Sequence, residues 1–286
     1  MKRHKICKII FAILAVFLCV AFYELIGICI TYKKQPAVSD ATIKETQNIM
    51  SVAGRENTER AVIIEKNSQA LLERVRLIQN AKDEIILSTF AFKSDESGKL
   101  ILGALHDAAD RGVHVRILVD GMESWIDMEG NPYFYGLSSH ENVEIKLYNK
   151  ANPLKPWKTM GRMHDKYLIA DGKIYILGGR NTYNYFLGDF PGHKNFDRDV
   201  LVVCDEPQKD NSVNQLWNYF ETIWEQEDCR YFHNSKKLAD RQSVKKAVLE
   251  LQEGYQQYFE VNKEKICDTD YTDETFETEK IALVSN

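Results

Sequence analysis

MHDKYLIADGKIYILGGRN, residues 163–181, carries His164, Lys166, Asp171, Gly178, Gly179 and Asn181 in the pattern His-x-Lys-x4-Asp-x6-Gly-Gly-x-Asn. With each position treated as a ~1 in 20 draw, the pattern arises by chance in on the order of one in 10^5 chains of this length. Lys166 to Ala170 is rich in β-formers, Asp171-Gly172 is a hairpin turn signal, and Lys173 to Leu177 is a second β-rich run, so a hairpin is expected. Side chains alternate along a strand, which puts His164 and Lys166 on one side, while the return strand brings Gly178, Gly179 and Asn181 back beside them.

That grouping suits a small anion, and a phosphate in particular. Imidazole is nucleophilic near neutral pH, the ammonium supplies fixed charge, the asparagine amide donates hydrogen bonds, and paired glycines let backbone N–H groups approach oxygens. No second His or Cys stands at ligand spacing from His164, and His140 and His193 fall in expected loops, so neither a metal nor another cofactor is expected. An isolated His is ordinarily a capped or core residue at a strand edge. Here that use has to coincide with five other matching positions.

These residues resemble the HKD motif of the phospholipase D superfamily, including its trailing Gly-Gly-x-Asn. The similarity extends to SGKLILGALHDAADRGVHVRILVDG, Ser97 to Gly121, and to NFDRDVLVV, Asn195 to Val203. Within the superfamily it is to bacterial cardiolipin-synthase-like proteins, over roughly residues 60 to 235. The resemblance implies a nucleophilic His164, with Lys166 and Asn181, beside Gly178 and Gly179, holding phosphate oxygens. It also implies an acidic residue next to the histidine. Asp199 is the candidate, placed to fix the tautomer of the ring and stabilise imidazolium, and Asp197 is its rival on the same face. Asp171 belongs to the motif but sits at the turn, where a carboxylate accepts backbone N–H bonds.

Working outward, Ala61–Asn67, Glu84–Phe92, Val113–Val119 and Val143–Tyr148 read as strands. Helices are expected from Ser68 through Lys82, from Lys99 to Arg111, closed by Gly112, on an apolar stripe over Ser212–Gln226, and over Val244–Tyr258. The alternation argues for an α/β sandwich with a mainly parallel mixed sheet flanked by helices. Loops rich in Trp125, Tyr133, Phe134, Tyr135, Pro153, Pro156 and Trp157 lie near Lys150, Lys155 and Lys158. They suit either a phospholipid headgroup at an interface or ordinary loop packing. Asp268 to Glu279 is acidic and Thr-rich and reads as a flexible or partner-stabilised linker, followed by the β-like KIALVSN.

The N-terminus combines Lys2, Arg3, Lys5 and Lys8 with an apolar run from Cys7 to Tyr32, close to the ~20 residues that cross a hydrocarbon core. Its length and its exit through Ile28–Tyr32 favour an uncleaved anchor over a signal peptide, whose apolar region is ~7–15 residues. Lys33 and Lys34 are outnumbered, so the N-terminus is expected in the cytoplasm and the domain outside a single-pass cell membrane anchor. The expected organisation is an anchor over 1–34, a linker over 35–60, a phospholipase D-like catalytic domain over 61–235, and a helical and acidic segment over 236–286 leading towards a second half.

At 286 residues with a net charge of -5, the chain holds a sizeable core and disfavours broad electrostatic binding of nucleic acid. Outside the apolar run, Cys204, Cys229 and Cys267 form neither a disulfide framework nor a metal spacing. The expected activity is phosphatidyl transfer or phospholipase action on a glycerophospholipid phosphodiester through a phosphohistidine. Alternatives are a nuclease-type phosphodiesterase of the same superfamily, or a membrane-tethered half that binds lipid without turnover. The chain contains one motif where the resemblance implies two, so the expected partner is a second HKD half, in a longer chain or a two-fold dimer.

Overall fold

The computed structural model describes residues 2–33, 38–51, 59–158, 160–206, 211–233, 235–279 and 281–284. Two helices lead in, α1 (Lys2–Lys33) and α2 (Asp40–Ser51). Then follow β1 (Glu59–Ile64), α3 (Asn67–Asn80), β2 (Glu84–Thr89), α4 (Glu96–Asp110), β3 (His114–Asp120), α5 (Gly121–Asp127), α6 (Pro132–Ser138) and β4 (Val143–Tyr148). A 3-10 turn at Pro156–Lys158 precedes β5 (Lys166–Ala170), β6 (Ile174–Gly178), β7 (Asp199–Cys204), α7 (Ser212–Trp224) and β8 (Cys229–Tyr231). The chain continues through α8 (Lys236–Ala239), α9 (Gln242–Ile266) and β9 (Phe276–Glu277).

Among the described residues the strands form one sheet in the order β8-β4-β3-β2-β5-β6-β7-β1-β9. Helices cover both faces, as expected of an α/β sandwich, but the expectation of a mainly parallel sheet is corrected. Only β2–β3 and β3–β4 run parallel, and the other neighbours are antiparallel. The cause is local: β5 and β6 are a hairpin, and β7 and β1 extend it without a helical crossover, which parallel pairing requires. Alternation divides the strands between two cores. Leu168 and Ala170 of β5 join α3, α4, α6 and α9 on one face, while Tyr167 and Ile169 join α7 on the other.

Helix ends follow side-chain chemistry. Asp95 caps α4 by accepting from Gly98 N at 3.1 Å, and Gly112, with φ of 94°, ends it in a conformation that glycine adopts without strain. Ser68 is not the cap of α3, which begins one residue earlier at Asn67. The acidic stretch after α9 is not a free linker. Arg76 Nη1 pairs with Glu274 at 2.9 Å, its Nε and Nη2 donate to the carbonyls of Asp268 and Asp270, and Tyr271 packs under its guanidinium at 3.9 Å. Arg60 donates to the carbonyls of Thr272 and Thr275, which seats β9 beside β1. In the KIALVSN run, residues 281–284 form no strand, and 280, 285 and 286 lie outside the described residues. So do residue 34 of the expected anchor and residues 35–37 and 52–58 of the expected linker, within which α2 supplies a short helix.

Candidate active site

The β5–β6 hairpin forms as its sequence requires. Tyr167 pairs with Leu177 and Ala170 with Ile174, and Asp171 and Gly172 take positive φ at the turn, 52° and 61°. At its open end Lys166 stands across from Thr89 of β2, and Gly178 across from Asp199 of β7. His164 lies just before β5, exposed at the mouth of a cleft of about 230 Å³ lined by Asp165, Lys166, Tyr167, Leu177, Gly178, Leu216, Tyr219, Leu283 and Val284. Lys166 is buried, and its Nζ donates to the His164 carbonyl at 2.6 Å, which holds the two side by side.

Phe90, immediately after β2, organises the cations. Its ring meets the His164 ring edge-on at 4.7 Å, and Arg162 and Lys166 lie over it at 5.0 and 5.4 Å. Asn181 is tied to the same segment, its Oδ1 accepting from Ala91 N at 3.1 Å, so the hydrogen-bond donors of the amide are the end left to other partners. Arg162 is itself fixed by Asp120, whose carboxylate takes Nε at 2.9 and 3.0 Å as well as the N–H groups of Met122, Glu123 and Met163. Desolvation lowers the pKa of His164 below its ordinary value, and the charges of Lys166 and Arg162 add to this against Asp165. Burial lowers Lys166 likewise, with Asp165 and Asp197 opposing. Behind the site, Tyr219 donates to Asp165 at 2.9 Å, and burial and that carboxylate raise its hydroxyl pKa.

Asp171 stands away from the cleft, and the two glycines answer a packing demand. Asp171 is at the far end of the hairpin, five strand positions or ~17 Å from Lys166. Its carboxylate accepts the N–H groups of Lys82, Asp83 and Glu84 at 2.8–3.2 Å. The glycines are required by packing: a Cβ at Gly178 would collide with the Asp199 carboxylate, and one at Gly179 with that of Asp197. Close approach of the next strand is therefore what demands glycine here.

Asp199 does not sit on the His164 ring, which corrects that expectation. It is 1% exposed, with Arg74 Nη1 at 3.0 Å and Arg180 Nη1 at 3.3 Å from its Oδ2. Arg180 also donates to Asn67 Oδ1 and to the carbonyls of Ile64 and Glu65. Two buried guanidiniums command this carboxylate in a way that one ring nitrogen at the surface does not. Asp197, the rival, acts on Lys166 through its field, after that of Asp165. Among the described residues no group hydrogen-bonds the His164 ring nitrogens, and no three His, Cys, Asp or Glu side chains converge as a metal site. Sequence reading missed Phe90, Arg162 and Asp120. Phe90 sits in an apolar run like any strand residue, and only the Arg162-His164 proximity hinted at a cationic cluster.

A family model described as the phospholipase D-like domain of cardiolipin synthase matches residues 75–224, more than half of the chain. An uncharacterized protein of Helicobacter pylori strain 26695 is 33% identical over 181 residues, covering 58% of this chain and 35% of that protein. Cardiolipin synthase C of Escherichia coli K12 is 29% identical over 154 residues, covering 49% and 31%. The chain thus spans about a third of the length of these curated relatives. Among solved structures, the phospholipase D family member Nuc from Salmonella typhimurium aligns with a TM-score of 0.45 at 18% identity, covering 62% of this chain and 99% of that one. Phosphatidylserine synthase of Haemophilus influenzae aligns with a TM-score of 0.49 at 15% identity, covering 77% and 48%. The motif at residues 163–181 and the family model that matches around it agree: the chain belongs to the phospholipase D superfamily and is cardiolipin-synthase-like.

Proposed function

We propose that this chain supplies one half of a phospholipase D-type site that transfers or hydrolyses the phosphatidyl group of a glycerophospholipid, as in cardiolipin synthesis. The observation that carries this is the two-sided cleft. His164 and Lys166 line it together with Asp165 and Tyr219, and Leu177, Leu216, Leu283 and Val284 stand beside these polar groups. A phosphodiester flanked by glycerol carbons fits such a mixed lining, and the likeness to cardiolipin synthases supports a lipid over a nucleic acid as its source.

In this reading His164 attacks phosphorus and the P–O bond to the leaving alcohol breaks, with a proton supplied to that alcohol by a second imidazole. The same imidazole then takes the proton of an acceptor hydroxyl, or of water, whose oxygen displaces His164. Lys166 and the Asn181 amide hold the non-bridging oxygens, with Gly178 and Gly179 giving Asp197 and Asp199 room behind them. The lowered pKa of His164 supports a neutral ring at neutral pH. The second imidazole comes from another copy of the motif, in a longer chain or across a two-fold axis. The catalytic domain expected over residues 61–235 shares its core with α9 and its sheet with β9, so in this reading the catalytic unit runs on to Glu277. Among the described residues one helix is long and apolar enough to cross a membrane, over His4–Thr31. We read it as a single-pass anchor with the N-terminus cytoplasmic and the domain outside.

The test is turnover of phosphatidylglycerol in vesicles by the chain together with a second-motif partner. Product that depends on His164 is expected. Equal product from His164→Asn overturns the reading, and salt-steep binding of single-stranded DNA with no lipid turnover would replace it with the nuclease reading. Lipid binding that survives His164→Ala without turnover would make the chain a tethered binding half.

A further inference from the structure

The loop between β4 and β5 exposes an unusual row. Ala151, Asn152, Pro153, Leu154 and Lys155 are all exposed, Leu154 at 79% and Trp157 at 45%, while Pro156 between them is buried. What buries Pro156 is α1. Gly27 lets the proline ring against the helix, since a Cβ there would stand 2.5 Å from Pro156 Cγ. Tyr23 donates its hydroxyl to the Leu154 carbonyl at 3.0 Å, and Thr31 donates to the Trp157 carbonyl at 2.5 Å. Glu24, Gly27, Ile28 and Thr31, spaced i, i+3, i+4 and i+7, are partly or fully buried, and of the other described side chains of α1 Ala15 alone is not exposed, so one face of its domain-side end is shaped for this loop.

Depth along the helix fixes where the loop lies. Counting ~20 residues at ~1.5 Å each from Ile9, just after the last basic residue of the N-terminal end, places the domain-side boundary of the hydrocarbon core near Ile28. Tyr23 then lies ~7 Å inside that boundary, where a hydroxyl finds no water and the Leu154 carbonyl satisfies it. Thr31 and Trp157 fall just outside, at headgroup level, where Trp is favoured. The base of the loop is braced: Asn149 donates to the carbonyls of Lys158 and Gly161, and Lys158 pairs with Asp228 at 2.6 Å. From there the chain runs through Arg162 directly to His164.

We propose that Leu154–Trp157 is an interfacial foot that rests in the domain-side leaflet of a phospholipid bilayer. Leu154 reaches the acyl layer, Lys155 and Trp157 meet the headgroups, and the His164 cleft is thereby held at headgroup height. This rests on the reading of α1 as a membrane span. Tryptophan fluorescence separates the two, because the chain has four Trp, of which Trp224 is buried and Trp217 packs against the α7 core, leaving Trp125 and Trp157 exposed. The full chain is reconstituted in phosphatidylglycerol–phosphatidylcholine vesicles whose acyl chains carry bromine. Emission is expected to be quenched, with Trp157→Phe losing most of the quenching, Trp125→Phe keeping it, and Gly27→Leu reducing it by pushing the loop off α1. Wild-type quenching in Trp157→Phe, or quenching that comes from Trp125 alone, overturns the foot. An alkaline carbonate wash decides the span: a protein that stays with the vesicles but shows no Trp157 quenching refutes the foot alone, and one that washes off refutes both.

Discussion

The two ends of the β5–β6 hairpin belong to one sequence motif yet follow opposite electrostatic rules. At the turn, Asp171 is saturated, its carboxylate taken by three backbone N–H groups. At the open end, Lys166, Arg162 and His164 gather around Phe90; Asp120 and Glu123 answer Arg162, but the pKa values of His164 and Lys166 fall. The difference teaches that the satisfied end builds the fold and the unsatisfied end is where an anion gains by binding.

The strongest way to break this comparison is at the open end. His164→Asn is expected to lower lipid turnover by ~10⁴-fold, about 5.5 kcal/mol of barrier, with the melting temperature unchanged. An equal loss of stability would make the histidine a fold residue. Asp199→Asn probes the buried charges beneath: leaving Arg74 and Arg180 without their carboxylate costs about 3–5 kcal/mol by denaturant unfolding. Turnover per folded molecule should survive, and a selective loss of turnover would return Asp199 to the histidine. At the closed end, Asp171→Ala should cost about 1–3 kcal/mol of stability, also without selective loss of turnover. The smallest effect sharpens the electrostatics. Lys166→Met removes a cation that disfavours imidazolium, so the His164 pKa should rise in an NMR titration of the ring. The neutral ring is then lost at a higher pH than in the wild type, and a fall in the pKa would contradict the assigned cause.

Much of this was legible in the chain. Residues 163–181 specified a hairpin with its turn at Asp171-Gly172, and β4 occupies the residues its pattern marked, Val143–Tyr148. Alternation does not name partners, however. Part of the antiparallel share of the sheet comes from β1 joining β7, a contact between residues 59–64 and 199–204 that no local pattern reveals. The glycine pair was read for its N–H groups, because the carboxylates that exclude a Cβ come from a separate stretch of chain. The aromatic loops proved mixed: Phe134 and Tyr135 are core residues, whereas Trp125 is 61% exposed. Composition is the same in both, and only burial tells them apart.

Asp171 also sets a phase. By gripping Lys82, Asp83 and Glu84 at the threshold of β2, it stops that strand from sliding along β5, since a slip of one position would pull three N–H groups out of its carboxylate at once. Side chains alternate, so the same slip would turn the faces of β2 over and carry Phe90 away from His164 and Lys166. A carboxylate some 17 Å from the chemistry thus acts as the ratchet tooth that keeps Phe90 beside the catalytic side of the hairpin.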